Sequence, residues 1–384
     1  MKTFVGIAAS ALSYATGVFA VAASGTPFGF ATGTTGGGSA TAVTPTSLAQ
    51  VVSVLSDSTT RVVNIDRVWD FTSYYGTVTG QYCKPWTCSP NPQVLLNSVD
   101  GCGSNTLYSA TYYKAGSETV LDVGSNKTIR GIGSSSGFKG IGLRVKNQIN
   151  VIIQNVQITD LNPMYVWGGD GISVQGSTKV WIDHNYFART GRQFLHTNYD
   201  TIEVTFSNNY FDGTATYSTG CDGYHYWAFL WNGNAKITFA QNYIYHTAGR
   251  GPHTGGISGS TVYVHLSNNY YVNVKGHALD VDSGSYVLVE GNQFNNVTTV
   301  DTGNTAGAEY YVDTVAQAGT PCTSTIGRIC EWNKYSSSGS LPLTRQSTSV
   351  LSGIKAYTAV TGYQPFTVAN VASYVTANAG TGKV

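Results

Sequence analysis

The stretch His246–Gly255, "HTAGRGPHTG", places one arginine, Arg250, between two glycines and just ahead of a proline. Only 11% of the chain is charged, so a cation set where the backbone can bend sharply needs a reason. It is either a loop arginine that keeps the surface soluble or an arginine presented to a ligand. Flanking glycines would let a ligand approach the main chain. His246 and His253, on either side, are side chains whose ordinary pKa suits proton transfer, although each also reads as a plain polar loop residue. Two further charged residues stand out, Asp170 in "YVWGGDGISV" and Arg192 in "ARTGRQ". Hydrolysis would call for a group of carboxylates around an attacking water. No Asp-Asp pair accompanies these motifs. No CxxC spacing suggests a metal site.

The residues that must position this chemistry repeat loosely along the centre of the chain. The segments "NVIIQNVQITDL", "KVWIDHNYFART", "TIEVTFSNNYFDG", "KITFAQNYIYHTAG", "TVYVHLSNNYYVNV" and "YVLVEGNQFNNV" each open with a short alternating apolar run. That pattern is a strand with one buried face. Asn155, Asn185, Asn209, Asn242, Asn269 and Asn292 hold comparable places, roughly 23 to 33 residues apart. This is solenoid spacing. One turn of short strands cannot bury its inner face alone, whereas stacked turns pair above and below. Equivalent asparagines would line up as a ladder that satisfies the backbone at each bend and tolerates the left-handed conformation there. The architecture expected is all-β: a single-stranded right-handed parallel β-helix with long loops. A β-propeller would need more regular spacing near forty residues. "PTSLAQVVSVLSD" has apolar residues at helical spacing and is expected to cap one end as a short helix. From about residue 300 onward the repeat is lost, and the chain should fold back along the coil. No linker divides residues 21–384, which are read as one domain.

Gross composition narrows the setting. The 384 residues include 45 glycines, 26 tyrosines and 7 tryptophans, and 21 basic residues balance 20 acidic ones. Nothing here resembles the basic field that nucleic-acid binding requires. Residues 1–20, "MKTFVGIAASALSYATGVFA", read as a secretory signal: Lys2, then an apolar run, then small residues at Val18 and Ala20. No segment is apolar enough to cross a bilayer, so a secreted protein without a membrane partner is expected. Six cysteines agree with an oxidising compartment, and Cys322 and Cys330 bracket a short loop as a natural pair. Asn126 ("NKT") and Asn296 ("NVT") are glycosylation acceptors. A closed stack with capped ends leaves little open edge, so a monomer is expected.

Taken together, "YVWGGDGISV", "VWIDHNYFARTGRQ", "CDGYHYW" and "HTAGRGPH" resemble the pectin lyases, extracellular members of the first polysaccharide lyase family. The resemblance runs from about residue 29 to the end. It implies the β-helix fold, methylated pectin as substrate and elimination chemistry. It places Arg250 in the catalytic Gly-Arg-x-Pro turn, Arg192 in Gly-Arg-Gln and Asp170 in Trp-Gly-Gly-Asp. It implies the disulfides Cys83–Cys102, Cys88–Cys221 and Cys322–Cys330. His253 departs from the family, where lysine commonly stands three residues after the catalytic arginine.

A lyase acting on galacturonic acid methyl esters removes the proton at C5 and expels the oxygen on C4. It needs a base, a group that stabilises charge on the ester oxygen, and a means of holding the chain. The ester is itself an electron sink, so no metal or other cofactor is expected. A free carboxylate is a poorer sink, and pectate lyases use calcium held by several acidic residues. Here Arg192 stands where more acid would be needed, and a guanidinium can act as the fixed positive charge. Asp170 and Arg192 also read as an ion pair bracing neighbouring coils. Asp183 reads as structural. Trp86, Trp167, Trp227 and Trp231 are expected to stack on sugar rings, and Trp69 and Trp181 to lie in the core. The alternatives are a calcium-dependent pectate lyase and a non-catalytic pectin-binding solenoid.

Overall fold

The computed structural model describes residues 23–98, 101–199, 201–339 and 345–384. The signal-like residues 1–20 lie outside the described residues.

The apolar runs of the repeats form parallel strands, each paired with its counterpart one coil earlier and one coil later. Ile149–Gln154, Thr178–Asp183, Ile202–Ser207, Ala235–Ala240, Val262–Ser267 and Ser285–Glu290 stack as one face. Gln157–Leu161, Tyr186–Thr190, Tyr210–Asp212 and Tyr243–Tyr245 form a second. Leu143–Lys146, Ile172–Gln175, Leu195–Asn198, Phe229–Trp231 and His253–Thr254 form a third. The 12-residue strand Tyr270–Val281 turns the corner between the second and third faces and joins them. Inward side chains stack by type. Val151, Val180, Val204, Ile237, Val264 and Val287 share one register position and are all buried. Phe187, Phe211, Ile244, Tyr271, Phe294 and Tyr335 form another inward row. Those of them that are fully removed from water contribute roughly 1.5–3 kcal/mol each; Tyr335 at the end of the second row is partly buried. The fold is the expected parallel β-helix.

The asparagine ladder is present, shifted by one member. Asn185, Asn209, Asn242, Asn269 and Asn292 each donate a main-chain N–H to the next asparagine's Oδ1 at 2.9–3.0 Å, and the row ends on Asn333. Val156, not Asn155, holds the first place, its N–H donating to Asn185. Asn155 stands one position earlier, in the row of His184, Asn208, Gln241, Asn268 and Gly291, all at positive φ. The expectation that the ladder asparagines adopt the left-handed bend is therefore corrected. The bend falls on the preceding residue, and the ladder side chain ties the next peptide.

Helix Leu48–Ser56, capped by Ser47, closes one end through Val51, Val54 and Leu55. Fully buried Lys127 reaches past it to Asp57 Oδ1 at 2.5 Å. At the other end the chain folds back along the coil as expected. Helix Val371–Asn378 covers Tyr243 and Tyr270, and Gly380 and Gly382 donate N–H groups to Asn208 O and Asn155 Oδ1. The three cysteine pairs implied by the resemblance are bonded, Cys83–Cys102, Cys88–Cys221 and Cys322–Cys330.

Trp231 corrects an expectation. It is fully buried among Phe206, Phe229 and Phe239, with ring centroids 5.2–6.0 Å away. It points inward because it belongs to strand Phe229–Trp231, not to a loop. It cannot meet a sugar. Trp231→Ala should cost about 3–5 kcal/mol of stability, as large-to-small core changes do. Urea denaturation reads this. A variant of unchanged stability that binds substrate poorly would reverse the assignment. Trp69 and Trp181 are buried as expected, Trp181 beneath Ala31 of the N-terminal segment.

Candidate active site

One corner of the coil, between the second and third faces, supplies Asp170, Arg192 and Arg250. Successive turns of that corner carry Asp170, then Arg192, then Trp227, then Arg250. The main chain locks these turns together. Arg192 N–H donates to Gly169 O at 3.0 Å, Phe194 N–H to Ala228 O at 2.8 Å and Phe229 N–H to Arg250 O at 2.7 Å. Asp170 Oδ1 accepts the main-chain N–H of Gln193 at 2.9 Å. The alternative reading of Asp170 and Arg192 as an ion pair is not met: no such pair is among the ion pairs within 4.0 Å of the described residues. Asp170 instead braces the turn that presents Arg192.

Gln193 joins the two arginines. With its amide in the orientation that satisfies both ends, its oxygen accepts from Arg192 Nε and Arg250 Nη1, each at 3.1 Å, and its nitrogen donates to Trp227 O at 3.0 Å. Each guanidinium also lies over an indole. Arg192 Cζ is 3.6 Å from the Trp167 ring centroid and Arg250 Cζ is 4.8 Å from that of Trp227. Such contacts are favourable electrostatically and hold the planar cation in one orientation. Burial pushes the Arg250 guanidinium below the ordinary arginine range, against opposing effects of Tyr226, Asp280 and Asp170. Arg192 is lowered by burial first. Asp170 opposes that, and the Arg250 charge adds to it. Two partly dried cations held by one neutral amide form a local field that an electron-rich oxygen would relieve.

Trp167 and Trp227 are thus walls that orient cations, with one face of each already covered. Trp86 stands edge-on to Trp227, ring centroids 6.2 Å apart, on the loop stapled by Cys88–Cys221. Buried Gln93 fixes Trp227 by accepting its indole N–H at 2.9 Å and donating to Gly191 O at 2.8 Å. Neither glutamine was singled out from sequence, because their partners lie far apart in the chain. The "RTGRQ" motif contained the one available signal, a polar residue directly after Arg192.

The glycines around Arg250 do not open the backbone to a polymer, which corrects the initial reading. A Cβ on Gly249 would come within 2.6 Å of the Tyr226 ring, and one on Gly251 within 3.2 Å of Ala278 O. They admit neighbouring coils. Arg250 itself holds the left-handed turn, with φ 49°. The alternative proton carriers are engaged elsewhere. His246 lies flat on Tyr224, centroids 3.6 Å apart. His253 Nδ1 is 2.6 Å from Asp280 Oδ2, a contact that holds the Asp280 carboxyl well below the usual range. Buried His225 donates through Nε2 to Arg192 O at 2.8 Å. Burial lowers its pKa to about 4, so it is neutral scaffold. Asp183 is structural: its buried carboxylate accepts from Gln154, Ser207 and His184.

Calcium takes six to eight oxygen ligands and favours several carboxylates. Among the described residues no group of three or more His, Cys, Asp or Glu side chains converges, and the carboxylate beside Arg192 is Asp170. The donor set of this corner does not fit calcium.

A parallel β-helix with two guanidiniums backed by tryptophans along one corner is the class that fold and site define. The family described as Pectate lyase matches residues 2–384, and the chain belongs to it. It is 43% identical over 371 residues to the probable pectin lyase F-1 of Aspergillus terreus, covering 94% of this chain and 95% of that protein. It is 42% identical to pectin lyase B of Emericella nidulans, covering 98% of both. Among solved structures it is similar to pectate lyase II of Xanthomonas campestris, with a TM-score of 0.58 and 21% identity over 93% of this chain and 98% of that one. It is also similar to a Bacillus pectate lyase in complex with trigalacturonate, with a TM-score of 0.60 and 18% identity over 93% and 99%.

Proposed function

We propose that this protein is an endo-acting pectin lyase that cleaves methyl-esterified galacturonan by β-elimination without calcium. The observation that carries the reading is the pair Arg192 and Arg250 on one amide oxygen of Gln193, with Asp170 bracing the turn that presents Arg192. The relatives' names agree with it. Arg192 forks onto the ester carbonyl and stabilises the enolate as it forms. Arg250, lowered by burial, takes the C5 proton. The C5–H electrons become the C4–C5 double bond, the C4–O bond breaks, and the leaving oxygen is protonated from water. Trp86, Trp167 and Trp227 flank the sugar chain. The corner lies on the side of the stack rather than at a capped end, so a long chain can extend past it in both directions.

Three accompanying readings belong to the same proposal. The protein is secreted, which suits its three disulfides, and no helix among the described residues is long and apolar enough to cross a membrane. It is a monomer. Exposed Asn296 and half-buried Asn126 carry the glycans.

The test is highly methylated pectin with and without a chelator, followed by ultraviolet absorbance of the unsaturated product. Product formation should be unchanged by chelator and lost on fully demethylated polymer. Activity that vanishes with chelator and returns with calcium would instead make this a pectate lyase. No product under either condition would leave a binding solenoid.

A further inference from the structure

We infer that His277 is a positioning residue for Arg250: its Nε2 accepts the Arg250 main-chain N–H, and this holds the turn that aims the guanidinium only while the ring is neutral. The inference rests on the proposed role of Arg250. The bond is 3.1 Å long, and a main-chain N–H can only donate, so Nε2 must carry the lone pair and Nδ1 the proton. A protonated imidazole has no acceptor nitrogen. It would leave the Arg250 N–H unpaired and add a cation beside the guanidinium.

The surrounding backbone is shaped to deliver this ring. Strand Tyr270–Val281 breaks register between Val274 and His277, the kind of bulge that re-aims a side chain. Gly276 lies so close to the preceding coil that a Cβ would meet Ala248 O at 1.8 Å. His277 N–H then donates to Ala248 O at 3.1 Å, and Gly251 N–H to Ala278 O at 2.6 Å. The turn 248–251 is therefore clamped from the next coil on both sides of Arg250. The left-handed φ of Arg250 is a conformation that needs such support. Tyr226 packs edge-on against the ring, centroids 5.8 Å apart, and adjoins Trp227, which lies under Arg250.

The ionisable groups facing His277 are Asp280, His253, Arg250, Asp301 and Tyr226. Burial lowers its pKa most, His253 and Arg250 lower it further, and Asp280 and Asp301 oppose them. The active form is the deprotonated ring. Turnover should accordingly be constant above the titration and fall as pH drops through it, on the acid side of an ordinary histidine.

Two variants and one spectroscopic reading test this. His277→Gln can still offer an acceptor oxygen, but one that does not titrate; His277→Leu offers none. Initial rates on methylated pectin should be measured between about pH 4 and pH 8, the window in which histidine titrates. His277→Leu is expected to lose about 10–100-fold in kcat with KM within a few-fold, as small misplacements of reacting groups do. His277→Gln should stay within a few-fold of wild type at neutral pH and lose the histidine-dependent acid limb. Ring-nitrogen NMR of the wild type, assigned by the signal missing in His277→Gln, should show the Nδ1–H tautomer. A full acid limb in His277→Gln, wild-type kcat in His277→Leu, or an Nε2–H tautomer would each overturn the inference. A wild-type protein inactive on methylated pectin would instead sink the proposed function, while the tautomer would still be read.

Discussion

Arg250→Lys is expected to lose at least about 100-fold in kcat, near 3 kcal/mol, as when a positioned general base is removed. Calcium should not restore it. The substitution keeps a charge and makes deprotonation easier, so chemistry judged by pKa alone would call it mild. The structure argues otherwise. Arg250 is placed by two contacts at once, Nη1 on the Gln193 oxygen and the guanidinium plane over Trp227. A lysine ammonium is a point charge without that plane or fork. It can satisfy one contact or point toward substrate, but it cannot hold both directions. Steady-state rates over a range of pectin concentrations separate the possibilities. If KM rises while kcat survives, Arg250 holds substrate and another group takes the C5 proton. His253 would then be the first candidate, since it stands three residues on and is already paired with Asp280.

The sequence made the coil legible because its signals are local and repeated. Each strand announces itself within six residues, and stacking multiplies the pattern. Asn155 shows the limit. It has the right residue type, yet it is one place out of register, and only the pairing of Gln154 with Asp183 reveals that. The motif residues Asp170, Arg192 and Arg250 were visible individually, but what connects them was not. Gln193 touches Arg250 across more than fifty positions, Gln93 holds Trp227 from 134 residues away, and His277 supports Arg250 from 27. Such partners are chosen by which corners of the coil coincide, a property of the stack rather than of any motif. Trp231 conceals its burial from the sequence for a related reason. It lies at the end of a three-residue strand, too short for alternation to declare which face it takes.

Gln193→Glu is the change expected to be most damaging for its size. The two side chains have nearly the same shape, and a carboxylate can accept from Arg192 Nε and Arg250 Nη1 as the amide oxygen does. What changes is charge. A carboxylate between the guanidiniums stabilises their protonated forms, so it raises Arg250 away from the range in which it can take a proton. It also cancels the positive field that Arg192 would direct at the ester oxygen. Loss of an oxyanion-stabilising group of this kind costs on the order of 10²–10³-fold in kcat. The carboxylate would also face Trp227 O, which now accepts from the amide nitrogen, so stability should fall by about 1–3 kcal/mol. Gln193→Met serves as the comparison. It removes the acceptor without adding charge, so both guanidiniums lose a partner but keep their mutual field. Its kcat should lie between those of wild type and Gln193→Glu. Equal losses in the two variants would mean that Gln193 acts by geometry alone. Wild-type kcat in Gln193→Glu, with the fold intact by circular dichroism, would mean that the paired cations do not drive the elimination.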